Sequence, residues 1–124
     1  MRFLAIIYGN RDFWASIPPQ EWPAAIAAQD AFNDKHRRSG ELVASFGLAD
    51  ETQAKVVRVR AGVPVVTDGP YLETREYIAS SWILDVPSQE RALEIAADIP
   101  FAAKGAVEVW PIAHGDGVDS ERPR

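Results

Sequence analysis

Apolar residues in this chain fall into short runs that are separated by glycine, proline and other turn-forming residues. The run from Arg2 to Tyr8 is nearly all apolar and ends at Gly9-Asn10, which is typical of a strand followed by a turn. Five further segments are apolar or alternate between apolar and polar residues, as strands do. They span residues 42–46, 55–60, 63–67, 78–86 and 107–112. The two segments that flank Ala61-Gly62 predict a β-hairpin.

Two other segments repeat their apolar residues with helical spacing. Because proline is best tolerated in the first turn of a helix, we expect the first helix to begin near Pro18, and Gly40 to end it. One side of this helix is expected to carry Trp22, Ala25, Ile26, Gln29, Phe32, Asn33 and His36. The second helix is expected to begin after Ser88, a favourable N-cap residue, and to end at Pro100.

The order of these elements predicts the fold class. The predicted order is strand, helix, strand, hairpin, strand, helix and strand. This order is that of a ferredoxin-like βαββαβ domain with an added hairpin, which is an α+β fold. Its two helices cover one face of an antiparallel sheet, so the other face meets water or a second sheet, and dimerisation would cover it. We expect this domain to span residues 1–112. Residues 113–124 are polar and aperiodic and are expected to form a flexible C-terminal tail.

Composition restricts the class of protein. With 124 residues, 47% of them hydrophobic and 25% charged, the chain is expected to be one soluble globular domain. It has no cysteine and two histidines, which excludes disulfides and thiolate chemistry and argues against a metal site. The glycine-rich signatures of dinucleotide and phosphate binding are also missing from the sequence, so no cofactor is expected.

Charge and hydropathy restrict the partners. The formal net charge is −5, whereas proteins that bind nucleic acids usually carry a basic surface, so no nucleic-acid partner is expected. No stretch approaches the ~20 apolar residues of a membrane-spanning helix, and the first apolar run is too short for the core of a signal peptide. We therefore expect a cytoplasmic protein that has no membrane partner.

One segment resembles a known sequence motif. Residues 66–71, Val-Thr-Asp-Gly-Pro-Tyr, are followed by Glu73-Thr74 and resemble the motif that names the DGPF branch of the YCII-related family, with Tyr71 where phenylalanine is usual. Similarity to that branch extends over residues 4–9, 40–47, 92–100 and 105–112. The resemblance implies a ferredoxin-like protomer that pairs sheet to sheet into a dimeric α+β barrel, with a cleft between the sheet and neighbouring elements.

The resemblance also bears on function. The short branch of the family is suspected of acid–base catalysis by a histidine and an aspartate, but an alignment on Gly40 places those two positions at Gln29 and Arg38. Neither side chain exchanges a proton near neutral pH. The resemblance therefore implies a cleft for a small polar or aromatic metabolite, with or without lyase-like or hydrolase-like catalysis. The second function that the resemblance implies is that of a non-catalytic regulatory or accessory protein, which associates with an alternative sigma factor.

His36 and Asp68 are the candidate catalytic residues. His36 is the one imidazole of the predicted domain and could act as a base, although a histidine in the last turn of a helix also stabilises the negative helix end without any substrate. Asp68 could present a carboxylate at the mouth of a cleft. An aspartate before Gly-Pro is equally a common turn former.

Four further residues are candidates for substrate binding. Tyr8 and Tyr71 could donate hydrogen bonds from their hydroxyl groups, or pack at the rim of the core. Arg75 could receive a carboxylate, or belong to a solvated loop. Gln29 could line a cleft, or lie on a helix face that is less buried than its spacing suggests.

The tryptophans give two further expectations. Trp14 and Trp22 flank the proline-rich start of the first helix and could form a lid over a pocket. Trp82 and Trp110 are expected in the core or at a dimer interface.

Overall fold

The structure is a computed structural model that describes residues 1–70 and 76–116. These residues form six strands and three α-helices, joined by short connections that include single 3₁₀ turns at Pro19–Glu21, Glu51–Gln53 and Pro100–Ala103. In chain order the elements are β1 (Arg2–Gly9), α1 (Arg11–Ser16), α2 (Trp22–Arg38), β2 (Leu42–Gly47), β3 (Lys55–Arg60), β4 (Val63–Asp68), β5 (Tyr77–Asp85), α3 (Gln89–Asp98) and β6 (Val107–Pro111). Across the described ranges, no helix has the length and hydropathy that crossing a membrane requires.

Four strands form one antiparallel sheet in the order β2-β5-β1-β6. The central strand β1 pairs on both sides, so that Phe3 lies opposite Leu84 of β5 and Pro111 of β6. The remaining strands, β3 and β4, pair with each other in a separate two-stranded ribbon. This is the ferredoxin-like α+β arrangement with an added hairpin, and the predicted fold class is confirmed.

Strand alternation directs one face of the sheet toward the helices. Phe3, Ala5 and Ile7 of β1 are buried there, and Phe32 of α2 packs edge-to-face on Trp82 of β5. The buried cluster is completed by Leu42, Leu84 and Val86 from the sheet side and by Ala92, Ile95 and Ile99 from α3 and its end. Phe32 lies on the side of the first helix that the spacing predicts to be apolar, whereas Ile26 on the same side is 57% exposed.

The other face of the sheet has no helix of the described chain on it. Tyr8 lies opposite Ile78, and Leu4 lies opposite Trp110. Paired residues point to the same side of an antiparallel sheet, so the members of each pair share this face. Phe46 of β2 shares this side. We call this surface the open sheet face; Phe46, Ile78 and Trp110 are its exposed large apolar side chains.

The start of the first predicted helix differs from expectation. Gly9-Asn10 is followed directly by α1, because the Asn10 side chain caps it and accepts a hydrogen bond from the Phe13 amide at 2.7 Å. The prolines then separate α1 from α2, which begins at Trp22. The predicted helix end is confirmed, since Gly40 adopts a left-handed φ of +82°. Ser88 caps α3 as predicted, accepting from the Arg91 amide at 3.1 Å.

Helix α1 packs against Gly9, the last residue of β1, through the indole of Trp14. A Cβ atom at Gly9 would come within 2.6 Å of Trp14 Cε2, so only glycine lets the indole lie against the strand. The indole of Trp14 also packs on Phe13, Trp22 and Phe101. This aromatic cluster holds α1 and the start of α2 against the sheet.

We expect Gly9→Ala to lower the free energy of unfolding by about 1–3 kcal/mol, because the added methyl group overpacks the indole of Trp14. Gly47→Ala is the matched control. Gly47 also ends a strand, but its added Cβ would lie 3.5 Å from Ser80 Oγ, an ordinary contact. Urea unfolding of the two variants tests the difference, and equal stabilities would contradict this account of α1.

Candidate functional site

A cavity of about 630 Å³ lies where β1 ends and β5 begins. Tyr8 borders it from β1, and Tyr77 and Ile78 border it from β5. The connection between β2 and β3 and the residue Pro70 complete its wall. We call this cavity the sheet-end pocket.

Three hydrogen bonds hold the wall of the sheet-end pocket in place. The Leu48 amide donates to the Ala79 carbonyl at 2.8 Å, which attaches the connection to β5. The Gly69 amide donates to the Ala54 carbonyl at 2.9 Å and so closes the base of the β3–β4 ribbon. Arg11 of α1 donates to Glu51 at 2.7 Å. The wall therefore connects with the sheet, the ribbon and α1.

Two tyrosines line this pocket, and each hydroxyl group has a hydrogen-bond partner. Tyr8 Oη donates to Glu108 Oε1 at 3.1 Å, and loss of solvent around the phenol, together with that carboxylate, raises the pKa of Tyr8. Tyr77 Oη accepts from Trp14 Nε1 at 2.9 Å, so its own proton can be donated to another group. Because its pKa is raised, Tyr8 is a neutral hydrogen-bonding group at physiological pH.

Carboxylates and apolar groups divide the rest of the lining. Asp50, Glu51 and Glu76 border the cavity, and hydrogen bonds from the amide and hydroxyl of Thr52 lower the pKa of Asp50. Leu48 and Pro70 are among the apolar residues that face them. Such a pocket can bind an apolar body and orient a polar end.

A second, smaller cavity of about 310 Å³ lies between α2 and α3. His36, which is 3% exposed, places Nε2 2.8 Å from Asp98 Oδ2, and Lys35 Nζ donates to the same oxygen at 3.2 Å. The bond to His36 and then the bond to Lys35 lower the pKa of Asp98. We call this group the inter-helix cluster. In the described part of the chain, no group of three or more His, Cys, Asp or Glu side chains is placed to hold a metal ion.

An ion pair beside the inter-helix cluster joins the start of β2 to α3. Arg91 donates from Nε to Glu41 Oε2 at 2.7 Å and from Nη2 to Glu41 Oε1 at 2.8 Å, the two-pronged geometry that suits a guanidinium and a carboxylate. These bonds lower the pKa of Glu41 to about 2.

Those predicted site residues that the structure describes are distributed over the molecule. Tyr8 lines the sheet-end pocket. Asp68 ends β4, is exposed and pairs with Lys55 Nζ at 2.7 Å. His36 lies on the helix side of the sheet, opposite to Tyr8. The structure does not bring His36 and Asp68 together, and their catalytic roles stay predictions.

Gln29 does not line the sheet-end pocket. Gln29 Nε2 donates to Asn33 Oδ1 at 3.0 Å, and Trp82 Nε1 donates to the same oxygen at 3.2 Å, so Gln29 belongs to a polar network on the helix side. Tyr71 and Arg75 lie outside the described residues. Trp14 and Trp22 pack on each other, and Trp14 reaches the pocket only through its bond to Tyr77.

Neither Tyr77 nor the connection that contains Leu48 is predicted from the sequence as part of a site. Asp98, the hydrogen-bond partner of His36, is not predicted either, because the two residues are 62 positions apart along the chain. The sequence shows Asp98 only as a polar residue in the last turn of an amphipathic helix. No pattern in the neighbouring residues indicates that it pairs with His36.

An antiparallel sheet in this strand order, with helices on one side and a pocket at its end, defines an α+β protein of the ferredoxin-like class. A model of the YCII-related domain matches residues 1–114, and the chain belongs to the YCII-related family. The family prediction is confirmed, whereas the DGPF branch stays a prediction. An uncharacterised protein of Rhizobium meliloti (strain 1021) is 28% identical over 115 residues, which cover 91% of this chain and 93% of that protein.

We expect the ion pair of Glu41 to make stability depend on pH. Folded Glu41 stays ionised down to about pH 2, whereas the unfolded side chain takes up a proton near its ordinary pKa of 4.5. The pair therefore stabilises the fold fully above the unfolded pKa, and its contribution is lost as the pH falls from there toward 2. Glu41→Gln should lower the free energy of unfolding by about 1–2 kcal/mol at pH 7, and by much less near pH 2.5.

Denaturant unfolding between pH 7 and pH 2.5 measures this change. Glu94→Gln is the control, because Glu94 contacts the same Arg91 at 3.1 Å but is largely exposed. A constant difference between Glu41→Gln and the unmodified protein over this pH range would refute the role of the pair.

Proposed function

We propose that this protein binds a small organic metabolite in the sheet-end pocket. The observation that carries this proposal is the cavity of about 630 Å³, which is lined by apolar residues, two tyrosines and three acidic residues. Binding sites for small molecules are usually concave, mostly apolar and about 300–1,000 Å³ in volume, with a few polar groups that orient the ligand. The sheet-end pocket has each of these properties.

The lining indicates the chemistry of the ligand. An aromatic or other flat apolar body fits against Leu48, Pro70 and Ile78. Polar hydrogens on the ligand fit the carboxylates of Asp50 and Glu76, and the Tyr77 hydroxyl can donate to an acceptor on the ligand. We therefore propose a polar aromatic metabolite with at least one hydrogen-bond donor.

We further propose that the protein acts as a homodimer in the cytoplasm. Phe46, Ile78 and Trp110 leave large apolar areas exposed on the open sheet face, and a second copy would bury them. Catalysis of a lyase-like or hydrolase-like reaction, and association with a sigma-factor-related protein, stay predictions from the resemblance.

Leu48→Trp should block ligand binding, because Leu48 borders the sheet-end pocket and a larger side chain would occupy it. Native mass spectrometry of the purified protein measures any bound small molecule, and ligand-observed NMR measures binding of phenol, indole and benzylamine as probes. The unmodified protein should carry a discrete extra mass or bind at least one probe, and Leu48→Trp should lose that binding.

Leu93→Trp is the matched control. Leu93 is a leucine of similar exposure, 48% against 55% for Leu48, but it lies on α3 away from the pocket. Binding that survives in Leu48→Trp, or its absence in the unmodified protein with every probe, would overturn the proposed site.

A further inference from the structure

The charged side chains around the sheet-end pocket are mostly negative. Asp50, Glu51 and Glu76 line it, whereas none of its described lining residues is a lysine, an arginine or a histidine. Glu108 adds a carboxylate beside the pocket, because it accepts the hydrogen bond of the lining residue Tyr8. A molecule that enters this cavity therefore meets a negative electrostatic potential.

The basic side chains Arg11 and Lys55 lie near the pocket, and each has an acidic partner. Arg11 Nη2 lies 2.7 Å from Glu51 Oε1. Lys55 follows the lining residue Ala54 in the chain, and its Nζ lies 2.7 Å from Asp68 Oδ1. The two cations are thus neutralised within the protein, and neither is left to bind an anionic ligand.

Asp50 is the carboxylate that is best prepared to bind a cation. The amide and the hydroxyl of Thr52 donate to Asp50 Oδ1 at 2.9 and 2.8 Å, which fixes the orientation of the side chain. Both bonds end on the same oxygen, so Oδ2 can accept a hydrogen bond from a ligand. Because these donors are neutral and lower the pKa of Asp50, the carboxylate is ionised at pH 7 and keeps its negative charge.

The apolar part of the wall strengthens the effect of these carboxylates. Leu48, Pro70 and Ile78 border the same cavity. A concave site that combines apolar walls with charges of one sign focuses the electric field and concentrates ions of the opposite sign. The pocket therefore favours a ligand that has both an apolar body and a positive charge.

The two tyrosines of the pocket favour the same charge. The face of a phenol ring attracts a cation that lies within about 6 Å of the ring centre. Tyr8 and Tyr77 line the cavity, and their hydroxyl groups are held by Glu108 and Trp14. Both rings are thus fixed in the wall by bonds that do not involve a ligand.

We propose that the sheet-end pocket selects organic cations, and that its ligand carries a primary ammonium group on a flat apolar body. Asp50 accepts a hydrogen bond from the ammonium group, whose three N–H donors suit a pocket with several carboxylates. The same field excludes ligands whose polar group is a carboxylate or a phosphate. This inference rests on the proposed function and adds the sign of the ligand's charge.

Three probes of similar size and different charge test the selectivity. Benzylamine is a cation at pH 7, benzyl alcohol is neutral and benzoate is an anion. Ligand-observed NMR titrations of the unmodified protein should give several-fold tighter binding for benzylamine than for benzyl alcohol, and no binding for benzoate. Added sodium chloride should weaken the binding of benzylamine and leave that of benzyl alcohol unchanged, because salt screens only the charged contact.

Asp50→Asn tests the residue itself. Asparagine caps a helical turn as well as aspartate does, so the variant keeps the turn at Glu51–Gln53 and loses the charge. Its affinity for benzylamine should fall several-fold, whereas its affinity for benzyl alcohol should not change. Asp34→Asn is the matched control, because it alters the net charge equally but lies on α2 and does not line the pocket. Asp34→Asn should bind benzylamine as the unmodified protein does.

The outcomes separate this inference from the proposed function. If benzyl alcohol binds as tightly as benzylamine, and Leu48→Trp abolishes both, the pocket binds ligands but does not select cations. Tighter binding of benzoate would overturn the inference and agree with the carboxylate-binding role predicted for Arg75. Equal affinity of Asp50→Asn and the unmodified protein for benzylamine would refute the role of Asp50. Failure of all three probes to bind would contradict both the inference and the proposed function.

Discussion

The pairing of β1 on both of its edges is the constraint on which the rest of the structure depends. It fixes the alternation of this strand, so that Phe3, Ala5 and Ile7 enter the core while Tyr8 turns to the opposite side and meets Glu108. A one-residue change of register would exchange these two sets. The helices can then occupy only one face, and the pocket and the open sheet face belong to the other side. The division between the side covered by helices and the side with the sheet-end pocket thus begins with a single strand.

The helix side carries its own polar interactions. His36 is buried against Phe32 and bonds to Asp98, and nearby Glu41 pairs with Arg91, so polar and charged groups join the end of α2, the start of β2 and helix α3. Removing polar and charged side chains from water is favourable only when each has a hydrogen-bond partner. Here Asp98 is the partner of His36, and Arg91 is the partner of Glu41. Their geometry accounts for the burial of His36 through helix packing, with no substrate required.

Local signals explain how much the sequence could predict. The apolar run of β1, the cap at Ser88 and the left-handed Gly40 each act within a few residues, and the elements they define were predicted with nearly correct bounds. Helix α1 was missed because its six residues are too few to show a helical period before the prolines. Tyr8 is predicted as a binding residue from its place at a strand end, and it lines the sheet-end pocket. Tertiary contacts alone bring Tyr77 and the Leu48 connection to the sheet-end pocket, and tertiary contacts alone pair His36 with Asp98. No local pattern encodes these contacts.

The hydrogen bond between the Gly69 amide and the Ala54 carbonyl closes the base of the β3–β4 ribbon at the wall of the sheet-end pocket. A molecule that orders this wall would also restrict the two strands that leave it, and an ordered ribbon would restrict the wall in return. By thermodynamic linkage the two events must then influence each other equally. Occupancy of the pocket and order in the ribbon would therefore be coupled.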